Sequence, residues 1–315
     1  MNRVVFTPIT ALLLLSGASV TAQPARTGPK AGPDKATQAK ATQTAGADRV
    51  MIPLYLSSKR ALVMLRVGDY PPVPVVFDTG TNGNLIDLGL AGRLGLPKTG
   101  PSPSIDGSTG KPVPGYDTFI TGARLGGILI ADARATAITY NQPDEVGIFG
   151  PNSFSGSLVC LDGPRSRLII QPKSGQTIPS GPPIPYLGEG GAALPSAVLD
   201  FGGIKVTAIL DSGNDSPIIL PMIYKDTLSL EAAPVQIGFA VSAAGRQPIY
   251  RAWLRGGVRV AGVKLDRPEV YFMEGSRPNI GLPILRQLKV VFDPAGSRDW
   301  VLPAEVSPPE SPGPR

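Results

Sequence analysis

From about residue 50 onward the chain is a series of short apolar runs broken by glycine, proline and small polar residues. Examples are Val75-Val76-Phe77, Leu158-Val159-Cys160-Leu161, Ala208-Ile209-Leu210 and Val290-Val291-Phe292. Runs of this length bounded by turn residues predict β-strands. With 38 Gly and 35 Pro among 315 residues, punctuation is dense enough to favour short strands and tight turns over long helices. Two of the runs end in nearly the same tripeptide, Asp78-Thr79-Gly80 and Asp211-Ser212-Gly213. A carboxylate directly after a buried strand sits where its charge is costly.

The tripeptides belong to a longer duplication. Ile52-Pro53-Leu54-Tyr55 precedes Asp78 by 26 residues, and Ile184-Pro185-Tyr186-Leu187 precedes Asp211 by 27. Each half then has a strand, a turn (Val67-Gly68-Asp69 or Phe201-Gly202-Gly203) and a second strand running into the aspartate. Residues 108–113 and 243–249 follow as Gly-centred hairpin tips, and residues 125–130 and 260–265 as tight hairpins. Each half closes alike: Ile148-Phe149-Gly150 leads in twelve residues to Asp162, and Asn279-Ile280-Gly281 in twelve to Asp293. Between the halves, residues 172–183 have linker composition. Residues 50–171 and 184–303 are therefore expected to be two related lobes.

Composition narrows the chemistry. The chain has no His, which excludes Ser-His-Asp and Cys-His catalysis and His-based metal sites. Cys160 is the one cysteine, cannot form an internal disulfide, and reads as a buried inert thiol in a strand. Carboxylates, hydroxyls and backbone remain, and no metal or cofactor is expected.

Residues 1–22 read as a secretory signal, with Arg3, an apolar stretch including Ala11-Leu12-Leu13-Leu14-Leu15, and small residues at Val20-Thr21-Ala22. The expected location is the periplasm or outside the cell. Residues 23–49 hold no Leu, Ile, Met or aromatic side chain and read as a linker or pro-segment. Residues 304–315 read as a disordered tail. The net charge of +6, or +5 without Arg3, is scattered, with no basic stripe interleaved with aromatics to suggest nucleic acid as a partner. No later run is long and apolar enough to span a bilayer.

Taken together, an apolar pair before Asp-Thr/Ser-Gly, a later apolar-apolar-Gly segment and a strand ending in Asp, all present twice, resemble the aspartic protease superfamily. The likeness covers roughly residues 50–303. It is strongest to bacterial retropepsin-like members, and the duplication within one chain resembles the two lobes of pepsin. It implies an all-β fold of two pseudo-twofold-related β-barrel lobes, an active-site cleft between them, and β-hairpin flaps over a polypeptide substrate. It also implies a monomer, since one chain supplies both aspartates.

The resemblance makes Asp78 and Asp211 the candidate catalytic pair. Two adjoining aspartates share a proton and titrate as a unit, so one can act as base toward a water while the other protonates the amide oxygen. Gly80 and Gly213 would let the turns pass tightly beneath the carboxylates. Thr79 and Ser212 would hydrogen-bond across the pseudo-twofold axis. Thr81 stands where the family often places a supporting hydroxyl. Asn214 is a departure at the matching position, and Asp215 adds an acid that either raises the pair's titration or faces solvent.

Singly, each Asp-Thr/Ser-Gly is more simply a β-turn; the matched flanks favour a site. Asp162 and Asp293 read as turn acids; Tyr116 and Trp253 could line a cleft, yet aromatic residues in barrels are more often core, and neither is given a catalytic role. Two functions stay open: an exported aspartic endopeptidase, or a weakly active or inactive relative that binds peptide or another ligand in its cleft. Lys35 or Lys40 is a candidate partner of the aspartates before maturation.

Overall fold

The strands follow the period-2 burial expected of sheets with one face on a core. In Ala61–Val67, positions 61, 63 and 65 are buried and their neighbours less so. The two strands that enter the aspartate tripeptides become buried at every position toward their ends, over Val75–Phe77 and Ala208–Asp211, the second after an alternating start. Strands covered on both faces need continuous apolar sequence, which is why these runs lack polar alternation.

The computed structural model describes residues 49–302 except 58, 103, 107–110, 131–132, 141, 174–177, 189–192 and 243–244, together with the short strands Ile9–Thr10 and Leu14–Ser16. These two strands pair with Ala240-Val241 and with Ser104–Asp106. The remainder of the signal segment, residues 23–48 with Lys35 and Lys40, the tail beyond 302 and the tips of the two longer hairpins lie outside the described residues.

The described residues form an all-β fold built on two large curled sheets, one per lobe, with matching strand order. In the first lobe the order runs 128–129, 123–125, 61–67, 73–77, 147–149, 84–87, 133–138, 115–120 and 100–101. In the second it runs 263–266, 257–260, 196–200, 205–211, 279–281, 218–221, 269–273, 245–253 and 235–242. The duplication read along the chain is thus a duplication of topology. The tight hairpins match as well: Gly126 and Gly127 turn the first at φ +51° and +92°, and Ala261 and Gly262 turn the second at +46° and +85°.

A six-stranded sheet joins the lobes at their base. Val50–Pro53, Arg167–Pro172 and Ser157–Asp162 come from the first half, and Lys289–Asp293, Arg298–Leu302 and Ile184–Pro185 from the second. Its central register pairs Val159 with Phe292 and Leu161 with Val290. One apolar cluster runs through both lobes and includes Phe77, Phe149, Phe272 and Phe292.

Asp162 and Asp293 sit at the turns after their strands, as expected of turn acids. Asp293 accepts the Gly296 N–H at 2.9 Å and binds Arg298 at 3.1 Å and Lys173 of the inter-lobe segment. Asp162 binds Arg167 at 2.9 Å and Arg165 at 3.5 Å. Cys160 is buried, and burial pushes its thiol up to about 11, well away from thiolate reactivity. Tyr116 packs partly buried against the main cluster. Trp253 corrects the sequence expectation: 44% exposed at the end of its strand, it is no core residue. The strand's alternation places Ala252 inward and its neighbour outward.

Candidate active site

Each aspartate ends a strand that lies parallel to the apolar-apolar-Gly segment of its own half. Ile148 and Phe149 pair with Val76 and Phe77; Asn279, Ile280 and Gly281 pair with Ile209, Leu210 and Asp211. That segment also pairs, antiparallel, with the strand leaving the aspartate loop, so it threads between the loop's two arms. Close threading needs missing side chains. A Cβ on Gly281 would collide with the Ser216 carbonyl, and one on Gly150 would lie 3.0 Å from the Thr81 carbonyl.

The two loops meet through four reciprocal hydrogen bonds. The Thr79 N–H donates to Ser212 Oγ at 3.0 Å, and the Ser212 N–H donates to Thr79 Oγ1 at 3.0 Å. Thr79 Oγ1 donates to the Leu210 carbonyl at 2.7 Å, and Ser212 Oγ donates to the Phe77 carbonyl at 2.6 Å. Each hydroxyl therefore donates once and accepts once, pairing four buried backbone groups across the lobes. Asp78, Thr79, Asp211 and Ser212 are fully buried.

This junction puts the two carboxylates against each other's loops. The Gly80 N–H donates to its own lobe's Asp78 Oδ1 at 2.7 Å, and the Gly213 N–H to Asp211 Oδ1 at 3.0 Å. The glycines also serve the opposite lobe. A Cβ on Gly80 would fall 2.5 Å from the Asp211 carboxyl carbon, and one on Gly213 would fall 2.5 Å from Asp78 Oδ2. The expected close approach of these glycines to the carboxylates is present, and the carboxylate each one approaches belongs to the other lobe.

Burial, and then the Asp211 carboxylate, hold Asp78 well above the ordinary carboxylate range. Burial pushes Asp211 up to about 6, with the side-chain amide of Asn279 the largest opposing influence. Adjacent buried carboxylates with unequal proton affinities can hold a single proton between them at mildly acidic to neutral pH. Such a pair can activate water and polarise a carbonyl without forming a covalent intermediate.

The remaining expected residues fall near this centre with altered detail. The Thr81 hydroxyl donates to the Gly83 carbonyl at 2.9 Å and accepts the Gly83 N–H at 3.2 Å. Both of these contacts lie within its own loop. Asn214 Oδ1 accepts the Ser216 N–H at 2.9 Å, and its amide nitrogen donates to Asn279 Oδ1 at 2.7 Å. Asn279 in turn donates to Asp211 Oδ2 at 2.5 Å. Asp215 is half-buried, and its charge is felt at Arg60 and Tyr271.

Sequence reasoning assigned no role to Asn279, nor to the buried Arg60–Glu145 ion pair (2.8 Å). Tyr140 lies near that pair, and its titration feels Asp78. The signal for Asn279 was present: it is polar in a segment whose other copy carries Ile148. Among the described residues no group of His, Cys, Asp and Glu is arranged to hold a metal ion, and no helix is long and apolar enough to cross a membrane.

An aspartyl protease family model matches residues 63–152, which contain Asp78 and the first glycine segment. No curated protein matches the chain.

Proposed function

We propose that this chain, which belongs to the aspartic protease superfamily, is an exported aspartic endopeptidase whose catalytic pair is Asp78 and Asp211. The observation that carries the reading is the reciprocal Thr79–Ser212 junction, which brings two buried, duplicated Asp-Thr/Ser-Gly loops together with their carboxylates on facing loops. A water held by the pair loses a proton to one carboxylate as it attacks the amide carbon. The other carboxyl protonates the carbonyl oxygen, and the tetrahedral intermediate collapses with release of the amine.

The substrate is polypeptide, taken in extended form. The hairpin of Val235–Ser242 and Gly245–Trp253 is the flap of the second lobe, and the strands Ser104–Asp106 and Gly115–Ile120 flank that of the first. Extended peptides bind to such elements by strand-like backbone pairing. The signal-like residues 1–22 support export to the periplasm or beyond. Both aspartates come from one chain, which supports a monomeric enzyme.

Asn214, the departure from the expected hydroxyl, supports activity more than loss of it, because it buttresses the amide that binds Asp211. The test is peptide hydrolysis by the chain purified without residues 1–22, between about pH 3 and about pH 8, a range that spans the titration of such pairs. Wild-type protein is expected to cleave, and D78N and D211N to lose at least about a thousandfold in kcat, in line with removing half of a catalytic unit. Cleavage that survives both substitutions overturns the assignment of the pair. Binding of peptide without cleavage by the wild type favours the reading as an inactive ligand-binding relative.

A further inference from the structure

The two lobes match strand for strand, yet their carboxylates receive different hydrogen bonds. On the Asp211 side a chain of amides begins at a backbone N–H. The Ser216 N–H can only donate, so the Asn214 side-chain atom facing it must be the oxygen. The Asn214 nitrogen then faces Asn279, whose facing atom must be its oxygen. This leaves the Asn279 NH2 directed at Asp211 Oδ2, at 2.5 Å. The direction of every bond follows from the first.

Asp211 consequently accepts on both oxygens: Oδ1 from the Gly213 N–H and Oδ2 from Asn279. Hydrogen bonding of this kind favours the ionised form. Asp78 has no equivalent. Its Oδ1 accepts from the Gly80 N–H, while its Oδ2, buried without a well-aligned partner among the described residues, has only the Gly213 N–H and the Asp211 carboxyl of the facing loop beside it, and no side-chain amide. At the register position that Asn279 occupies, the first lobe has Ile148, buried among Val76, Leu85, Val113 and Ile138. A polar residue in one lobe and an apolar one in the other breaks the symmetry of the pair.

We propose that Asn279, held in place by Asn214, is a positioning residue that keeps Asp211 as the ionised general base and leaves the shared proton on Asp78 Oδ2 as the general acid. The catalytic meaning of this assignment rests on the protease reading; the protonation asymmetry itself does not. Asn279 touches no reacting atom and acts through Asp211. In the reaction, Asp211 takes the proton from water as the new C–O bond forms, and the proton on Asp78 passes to the carbonyl oxygen. The groups whose charges bear on the pair are few. Asp78 and Asp211 face each other, Tyr140 feels the charge of Asp78, and the Arg60–Glu145 pair with Asp215 lies in the surrounding shell. Of these, Asp78 hydrogen-bonds Asp211 across the lobes, and Asn279 adds the side-chain amide donor that Asp78 lacks.

The experiment uses N279I, which copies the first lobe, beside N279S and N214A, which shorten or release the amide and guard against a misfolded isoleucine variant. Asp carboxyl groups labelled with carbon-13 are titrated by NMR, with the Asp211 signal assigned through D211N, and the pH profile of kcat/KM is measured in parallel. Loss of a charge-assisted hydrogen bond is expected to raise the Asp211 midpoint and the acidic limb of the profile by about one to two pH units in N279I, and by less in N214A. An unchanged Asp211 midpoint in the folded variants overturns the inference, even if the enzyme is active. If wild-type protein shows no hydrolysis the protease reading fails, while the carboxyl titration still decides whether Asn279 sets the protonation.

Discussion

Gly80 and Asp211 belong to different lobes, yet a Cβ on Gly80 would lie 2.5 Å from the Asp211 carboxyl carbon. Gly213 stands in the same relation to Asp78. The pair is therefore packed by the glycine of the opposite loop, and its geometry depends on how closely the lobes approach.

The first prediction follows from that contact. Gly80→Ala cannot be accommodated by a flexible side chain moving away, because the obstructing group is the buried carboxyl itself. The loops must separate. A displacement near 1 Å is expected to lower kcat/KM by about a hundredfold, while overpacking costs about 1–3 kcal/mol of stability. Steady-state kinetics and urea unfolding measure both. Near-normal turnover in G80A would show that the interlobe contact does not control the carboxylates.

A second prediction concerns the junction of Thr79 and Ser212. Thr79→Val keeps the shape of the side chain but removes the acceptor of the Ser212 N–H and the donor to the Leu210 carbonyl. Two buried backbone groups lose their partners, at about 1–3 kcal/mol each. Ser212→Ala removes the matching pair of bonds to Thr79 and Phe77. Because the four bonds form one unit, the double variant is expected to lose less than the summed losses of the singles. Denaturant unfolding of the three variants tests this, and strict additivity would contradict the coupling.

The third prediction lies at the base of the molecule. Asp299 is buried on Arg298–Leu302, and its Oδ1 accepts the Ser196 N–H at 3.1 Å while its Oδ2 has no hydrogen-bond partner among the described residues. Burial pushes its carboxyl up to about 8, against the opposing Ser196 N–H. Because the folded state holds this proton after the unfolded chain, near pH 4, has released it, stability falls as pH rises from about 4 to about 8. Asp299→Asn keeps an acceptor for Ser196 and cannot ionise. It should melt like wild type near pH 4 and at a higher temperature near pH 8. Parallel melting curves across that range would refute the assignment.

The duplicated strands, their turns and both aspartate loops were legible in the sequence because each depends on local signals. Asp-Thr-Gly and Asp-Ser-Gly followed apolar strands, and glycines marked the hairpins at residues 126–127 and 262. The structural pairing of Thr79 with Ser212 was legible only through resemblance, since nothing local in either tripeptide specifies its partner. Trp253 was misread because aromatic character predicts burial only on average, and strand alternation faced it outward.

By itself the sequence determined two copies of one strand-and-turn program, because period-2 burial and turn chemistry act over a few neighbouring residues. Tertiary structure decided what each carboxylate meets. Asn279 reaches Asp211 from 68 residues away, and Gly80 approaches the same group from the other lobe. Hydrogen bonds and desolvation depend on distance in space, so the proton's place between two nearly identical loops emerges only when distant segments pack together.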